Sequence, residues 1–338
     1  MNPIVSVIIP LYNRPDLVKP VVESVLGQTL PVCEVILIDD GSIEDVKGEV
    51  RRQMNGNPVW RERVSYSSQE NQGQSIALNN GIARAKGDWI AFNANDDLWL
   101  PQKLEWQFKA LKEFGNECGL CFTDAWFMNN PYMKGITLFE FAEVQFSETL
   151  GIIQDPVRLL VRNQPVWCQT VVVRTDLVRQ IQGYDPSMRF SEDYDFVFRM
   201  ALLTKFCYVG LPMVLIDRTI SPTRHKGAGL NWQKKEFKLQ MDERRVEKQL
   251  RLTEELGPDI RKAARANMRA HYSKWTNLHL KNGDYAKARE AVSTATRYGL
   301  APGIAVKWVM THLAPQLAAK IVLRREEQDQ TRDYGLNW

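Results

Sequence analysis

The sequence predicts an α/β fold: a Rossmann-like, mostly parallel sheet flanked by helices, with a C-terminal helical extension. Three observations carry this. Short apolar runs without alternation recur through the first part of the chain, as strands covered on both faces require. Between them lie stretches with apolar residues at i, i+3 and i+4, giving β-α-β-α-β within about 100 residues. The charge then changes: residues 231–338 hold 21 Lys+Arg against 13 Asp+Glu, whereas the first 230 hold 23 against 27. We divide the chain into a sheet domain, 1–228, and a basic helical extension, 229–338.

The elements follow in order. Val5–Ile9 (VSVII) is a first strand, ended by Pro10. Leu17, Val18, Val21, Val22, Val25 and Leu26 recur at helical spacing, so a helix is expected over 15–28, with Pro15 in its first turn. Glu34–Asp39 is a second strand, stopped by Asp40-Gly41-Ser42, and Val64–Ser67 a third. Ser75–Lys86 reads as a helix ending at Gly87, Trp89–Phe92 as a fourth strand, and Leu100–Phe114 as another helix. A mixed region covers 118–220, with strand-like CFTDAWF, QTVVVR and CYVGLPMVLID. From Asn231 the pattern is helical and charged. Lys281–Gly299 resembles one unit of a helical-hairpin repeat, and a lone unit serves packing rather than peptide binding. Ile304–Leu323 reads as one apolar helix interrupted by Lys307, His312 and Lys320, with Arg324 and Arg325 after it. It suits either packing on the main domain or peripheral contact with an anionic membrane.

Composition sets outer bounds. With 44% hydrophobic and 25% charged residues the chain has ordinary globular composition. No run approaches the ~18–20 apolar residues of a membrane span, and the N-terminus lacks the basic region of a signal peptide. A cytoplasmic location is expected, with the cytoplasmic membrane face as the alternative, and no nucleic-acid partner. Five cysteines at irregular spacing argue against a disulfide framework. Cys118-Gly-Leu-Cys121 has no second pair at zinc-like spacing and reads as packed thiols.

Three predicted strands end in polar clusters, and in parallel sheets ligands gather at the carboxyl edge. Pro10–Arg14 and Asp39–Ser42 are two of these. The third, Asn93–Asp97, places Asp96 beside Asp97 at a strand end, which suits Mg²⁺ or Mn²⁺ held by one or two carboxylates while substrate phosphates supply the rest. As plain structure, such acids make turns or cap helices. Downstream, Glu192, Asp193 and Asp195 precede an amphipathic helix. Capping needs one acid, so another is available as a general base. Arg224-His225-Lys226-Gly227 suits either a solvated loop or a phosphate-binding loop with an imidazole for a metal.

Together VSVIIPLYNRPDLVKPVVESVLGQT, VILIDDGS, NQGQSIALNNGIARAKGDWIAF and GYDPSMRFSEDYDFVFR resemble glycosyltransferase family 2, in order and spacing across 1–228. The resemblance implies the GT-A fold, a nucleotide-diphosphate sugar donor, a divalent cation (Mn²⁺ or Mg²⁺) and inversion at the anomeric carbon. Carried over by position, Pro10, Tyr12 and Arg14 line the base pocket and Asp40 reads the base, with uracil the expected one. Asp96 matches the metal-binding acid, with Asn95 and Asp97 beside the donor. Asp193, the second of the pair Glu192-Asp193, matches the base, and His225 a loop residue that completes metal or diphosphate binding. NANDD departs from the family's D-x-D-D at Ala94, removing one carboxylate, and Leu78 stands where a basic residue is common.

The expected reaction moves a sugar to an acceptor hydroxyl on a saccharide or lipid-linked saccharide, in cell-envelope polysaccharide or glycoconjugate synthesis. A nicotinamide oxidoreductase would need G-x-G-x-x-G where Pro10–Arg14 stands. A nucleotidyltransferase would favour a Gly-rich basic loop there. Ala94 and Leu78 leave one other class open, a non-catalytic nucleotide-sugar-binding module. Trp167, Cys168 and Gln169 are expected to border the acceptor site.

Overall fold

The computed structural model describes residues 3–130, 133, 135–218 and 235–330, with backbone alone for 116 and 326–330. The chain forms two compact units, Met1–Ile220 and Ser221–Trp338. The expected boundary at 228/229 lies outside the described residues.

The first unit opens β1 (Val5–Leu11), α1 (Pro15–Leu26), β2 (Glu34–Asp40), α2 (Val46–Gly56), α3 (Pro58–Arg63), β3 (Val64–Gln69), α4 (Gln74–Arg84) and β4 (Trp89–Phe92). It continues with β5 (Leu98–Trp99), α5 (Lys103–Phe114), β6 (Cys118–Met128), α6 (Leu138–Phe141), β7 (Leu150–Ile153) and α7 (Pro156–Arg162). β8 (Val171–Arg174), α8 (Thr175–Gln180), α9 (Glu192–Ala201) and β9 (Lys205–Asp217) complete it.

One sheet runs in the order β3-β2-β1-β4-β8-β6-β9-β5, with β7 also paired to β9. β1 to β4 are mutually parallel, and β6 is parallel to β9. β8 runs antiparallel to both β4 and β6, while β5 and β7 run antiparallel to β9. The direction of β8 matters for the site: its amino end, Trp167–Thr170, lies at the same edge as the carboxyl ends of β4 and β6. Val5, Val7, Ile8 and Ile9 of β1 and Val35–Ile38 of β2 are buried, which explains their lack of alternation. The cysteines are all free thiols; Cys33 is exposed and Cys118, Cys121, Cys168 and Cys207 are buried.

Several expectations need correction at their ends. The helix expected over 15–28 stops at Leu26, and the one expected from 100 starts at Lys103, since Pro101 turns Leu100 away from helical backbone. The helix expected over Ser75–Lys86 spans Gln74–Arg84, and the second and third strands extend to Asp40 and Gln69. α2 and α3 escape the hydrophobic pattern, since they bury little beyond Val46, Val50 and Trp60.

The second unit is helical: α10 (Lys235–Leu252), α11 (Pro258–Lys281), α12 (Tyr285–Arg297), α13 (Pro302–Leu313) and α14 (Pro315–Gln330). The hairpin expected over 281–299 is the turn between α11 and α12 together with α12. The single helix expected over 304–323 is two, broken at Ala314 because Pro315 excludes helical backbone from the residue before it. Leu239, Trp275, Leu278 and Ala291 form one apolar cluster, and Leu280, Ala288, Ala318 and Ala319 another.

Candidate active site

The carboxyl edge is built by backbone turns that the acidic and amide side chains hold in place. At the end of β1, Asn13 and Arg14 both adopt left-handed backbone, φ 54° and 61°. Such strain persists only where the surroundings fix it. The Asn13 backbone N–H donates to Ser42 Oγ at 2.8 Å, and Asn13 Oδ1 accepts from the N–H groups of Ile43 and Glu44 at 2.9 and 3.2 Å. The loops after β1 and β2 are thereby stitched together.

Asp39 accepts from the Ser42 backbone at 2.9 Å and from Tyr66 Oη at 2.6 Å. Burial, reinforced by that carboxylate, raises the tyrosine's pKa. Asp40 is buried and accepts three bonds from the end of β3 and the loop after it: Gln69 Nε2 at 2.8 Å, Gln72 N–H at 2.9 Å and Gly73 N–H at 2.9 Å. A carboxylate offers about four acceptor positions, so one remains for a ligand N–H. Gly73 has φ 97°, and a Cβ at Gly41 would sit 2.7 Å from the Asn71 nitrogen, so neither accepts a side chain without strain.

At the end of β4, Asn95 Nδ2 donates to the Tyr12 carbonyl at 3.3 Å, which draws this turn to the β1 loop. Pro10 and Tyr12 are half-buried there. Arg14 pairs with Asp16 at 3.3 Å. Asp96 is half-buried, whereas Asp97 is buried and its Oδ1 accepts from the Asp217 N–H at 2.9 Å. Asp97 therefore ties the β4–β5 turn to the end of β9. Leu78 is buried in α4 among the core residues.

The acid pair lies at the first turn of α9, after Ser191 in left-handed backbone at φ 60°. Phe92 meets Tyr184 and Phe196 edge-on, each at 5.5 Å, and those two rings stack at 4.4 Å. This cluster fixes the start of α9 beside the end of β4. Asp195 is not free for chemistry: it is buried against Arg199 at 2.7 Å. Burial and the neighbouring Asp193 charge push Glu192 up to about 8. Burial also raises Asp193, against the lowering effect of bonds from the Cys168 thiol and backbone and of the Arg218 charge. Asp193 Oδ1 has no hydrogen-bond partner among the described residues. An acid with one uncommitted oxygen and a raised pKa is suited to receive a proton.

Around it, Tyr184 Oη donates to Cys168 Sγ at 2.7 Å, and the Arg218 guanidinium lies 4.6 Å from the centre of the Trp167 ring. Loop contacts link the two acidic regions. Ser75 Oγ donates to the Met188 carbonyl at 2.7 Å, and Asn79 Nδ2 donates to the Tyr184 carbonyl at 2.8 Å. The segment leading to Glu192 is thus anchored on α4, whose first residue follows Gly73 and its bond to Asp40.

The structure joins Asp40, the β1 loop, Asn95 and Asp97 to one continuous edge, with Glu192 and Asp193 alongside. His225 lies outside the described residues. No cluster of three His, Cys, Asp or Glu side chains suited to a metal occurs among the described residues. Asp97 is bonded to the Asp217 N–H, and Asp96 is half-buried beside it; a cation bound there through one carboxylate would complete its shell from a diphosphate. Arg218 and Tyr184 are site residues that the sequence reading did not single out. The only signal for Arg218 is its place directly after a strand that ends in Asp217.

The family model for "Glycosyl transferase family 2" matches residues 6–167. TuaG of Bacillus subtilis, whose name assigns it to teichuronic acid biosynthesis as a glycosyltransferase, is 30% identical over 68% of this chain and 86% of its own. An uncharacterized glycosyltransferase of Rickettsia typhi is 29% identical over 59% of this chain, which spans 58% of that relative. Among solved structures, S. aureus TarS 1–349 in complex with UDP-GlcNAc aligns at TM-score 0.66 and 15% identity, covering 97% of this chain and 92% of that one. The mannosyltransferase PcManGT of Pyrobaculum calidifontis, in complex with GDP-Man and Mn²⁺, aligns at 0.57 and 18%, covering 99% and 86%. At those identities the structural likeness establishes the GT-A fold, and the sequence relatives establish more: this chain is a member of glycosyltransferase family 2, a family of enzymes.

Proposed function

We propose that the chain is an inverting glycosyltransferase that moves a sugar from a UDP-sugar to an acceptor hydroxyl. The acceptor is a saccharide or lipid-linked saccharide in cell-envelope polysaccharide or glycoconjugate synthesis. The observation that carries this reading is the separation of two acidic regions on one edge. Asp40 and the β1 and β4 turns sit on the donor side, and Asp193, with its uncommitted oxygen, stands on a different element beside Trp167. Likeness to TuaG supports the envelope setting, and the UDP-GlcNAc of TarS supports uridine as the base.

In this reading Asp40 accepts the uracil imide N–H at its remaining acceptor position, while Pro10, Tyr12 and Arg14 flank the base. Asp96, with His225, would hold Mn²⁺ or Mg²⁺, which supplies charge neutralisation for the departing diphosphate when bound. Asp193 takes the proton of the acceptor hydroxyl as that oxygen attacks the anomeric carbon from the face opposite the diphosphate. The pair of electrons in the sugar–diphosphate bond leaves with the UDP. Direct attack inverts the configuration and requires no covalent enzyme intermediate.

Asp193→Asn should lower turnover on the order of 10²–10⁴-fold while UDP still stabilises the protein in a thermal-shift assay. Metal-dependent release of UDP from UDP-sugars, abolished by chelator, is the companion measurement. Donor binding with no turnover across a broad acceptor panel would instead identify a non-catalytic nucleotide-sugar-binding module.

A further inference from the structure

The large exposed apolar side chains of the described residues are unevenly placed. Leu300, Val306, Trp308, Val309, Leu313, Leu317 and Leu323 all lie within one short stretch of the second unit. Leu300 is 78% exposed and Leu313 81%. Their spacing explains the pattern. In α13, Pro302, Val306, Val309 and Leu313 recur at i, i+4, i+7 and i+11, one face of a helix, and every one of them is exposed. The opposite face is already used. Ile304 and Thr311 are buried, and Met310 packs against the Leu280–Ala288–Ala318–Ala319 cluster. Lys307, the one Lys or Arg of α13, is turned inward, with Nζ donating to Asn277 Oδ1 at 2.9 Å and also bonded to Ser273 Oγ at 2.5 Å. The helix therefore has an inner side that packs and an outer side that is apolar without need.

The face does not stop at the Ala314-Pro315 corner. Leu317 continues it on α14, and Lys320, Arg324 and Arg325 are exposed just beyond. Over 281–330, to the end of α14, the sequence holds eight Lys or Arg (281, 287, 289, 297, 307, 320, 324, 325) against five acids (284, 290, 326, 327, 329), a net +3. Trp308 is partly exposed, with Nε1 donating to Ser293 Oγ at 3.2 Å and its ring stacked on His312 at 4.1 Å. A ring with one wet, bonded edge and one open face is typical of the boundary between water and lipid. None of the helices described is long and apolar enough to cross a membrane.

We propose that the outer face of α13, the Pro315 corner and the start of α14 form a docking surface for an anionic lipid bilayer. Val306, Val309, Leu313 and Leu317 enter the acyl boundary, and Lys320, Arg324 and Arg325 meet acidic headgroups. Lys320, Arg324 and Arg325, exposed beside the apolar face, complement a layer of acidic headgroups. The residues of this surface are other than those assigned to glycosyl transfer, so its failure would leave that proposal untouched.

The test is co-sedimentation of the full chain with phosphatidylglycerol-containing and pure phosphatidylcholine vesicles. Binding is expected to the first, to weaken with salt, and to be far weaker to the second. Val309→Glu with Leu313→Glu should lower the partition coefficient about tenfold or more. Lys320→Gln, Arg324→Gln and Arg325→Gln together should lower it on the order of 100-fold. The second variant leaves the helix faces intact, so it remains decisive if the first fails to fold. Absence of vesicle binding by the wild type overturns the proposal, as does wild-type binding by the charge variant. A concentration-dependent dimer in light scattering that Leu313→Glu abolishes, with no vesicle binding, would give the face to a second copy and also overturn it.

Discussion

Burial raises the Asp193 carboxyl, and Cys168, a residue that carries no charge, opposes that shift. The thiol and backbone of Cys168 bond to the carboxylate and favour its ionised form, while Tyr184 bonds the sulfur from the other side. Removing the thiol withdraws a donor that lowers the acid's pKa. Cys168→Ala should therefore move the acid limb of the kcat/KM–pH profile upward by about one unit, the change expected from one charge-assisted bond. Cys168→Ser, which keeps a donor, should bring the limb back toward the wild type. Superimposable profiles for the three proteins would remove Cys168 from this positioning role. The acids and the strand-end clusters were readable because unusual residue types interrupt apolar runs. The bonds among Tyr184, Cys168 and Asp193 were not, since sixteen residues separate Tyr184 from Cys168 and only folding brings the three together. Lys103 is a similar case. Lysine is a residue type that rarely lies fully inside, yet Lys103 is fully buried, bonded to Gln107 at 3.0 Å and set over the Trp99 ring at 3.9 Å.

Elements with a clear apolar signature, uninterrupted runs in β1, β2 and β4 and helical spacing in α1, could be placed from sequence within a few residues. Those whose position depends on pairing could not. Nothing in QTVVVR states that β8 runs against its neighbours, yet that direction brings Trp167 and Cys168 to the catalytic edge. Pro315 is visible in the sequence, and in the fold it splits one apolar stretch into α13 and α14. The packing of α10 on α11 shows a further feature with no sequence signature. His271 is buried, with Nδ1 at 3.3 Å from Asp242 and Nε2 at 3.7 Å from Glu243, while Arg245 and Lys274 also face Asp242. Burial alone would lower the imidazole's pKa, but the two carboxylates more than offset it and the net shift is upward. A folded pKa above the unfolded value of about 6.5 gives stability that is fully present below pH 6.5 and fades as pH rises through the folded value. His271→Gln should cost about 3 kcal/mol near pH 6 and clearly less near pH 9. Amide exchange in α10 and α11 reads this locally. A penalty independent of pH would show that the imidazole is neutral in the folded protein.

The proposed roles fall in different units. The described residues assigned to donor and base chemistry lie in Met1–Ile220, and the proposed lipid-docking surface lies in Ser221–Trp338. The fold class and the family resemblance were available from sequence because strand-end motifs recur in a fixed order. The exposed side of α13 was not, because an apolar helix reads the same whether it faces a core or the outside. The thiols lend themselves to a measurement of a different kind. Cys33 alone is exposed and the other four are buried. All five lie in the sheet-bearing unit, so their alkylation counts the opening of that unit and is blind to the helical one. Burial, which outweighs the Ser6 bond, raises the Cys33 pKa, so its labelling should be slow at neutral pH and faster in alkali. In mass spectrometry the native chain should take up one maleimide adduct and then pause, reaching five only as the sheet opens in denaturant. Early uptake of a second adduct without denaturant, mapped to Cys118, Cys121 or Cys207, would mean that the core around β6 and β9 breathes on its own. Without any dye or engineered tag, the protein would carry its own clock for the unfolding of its catalytic half.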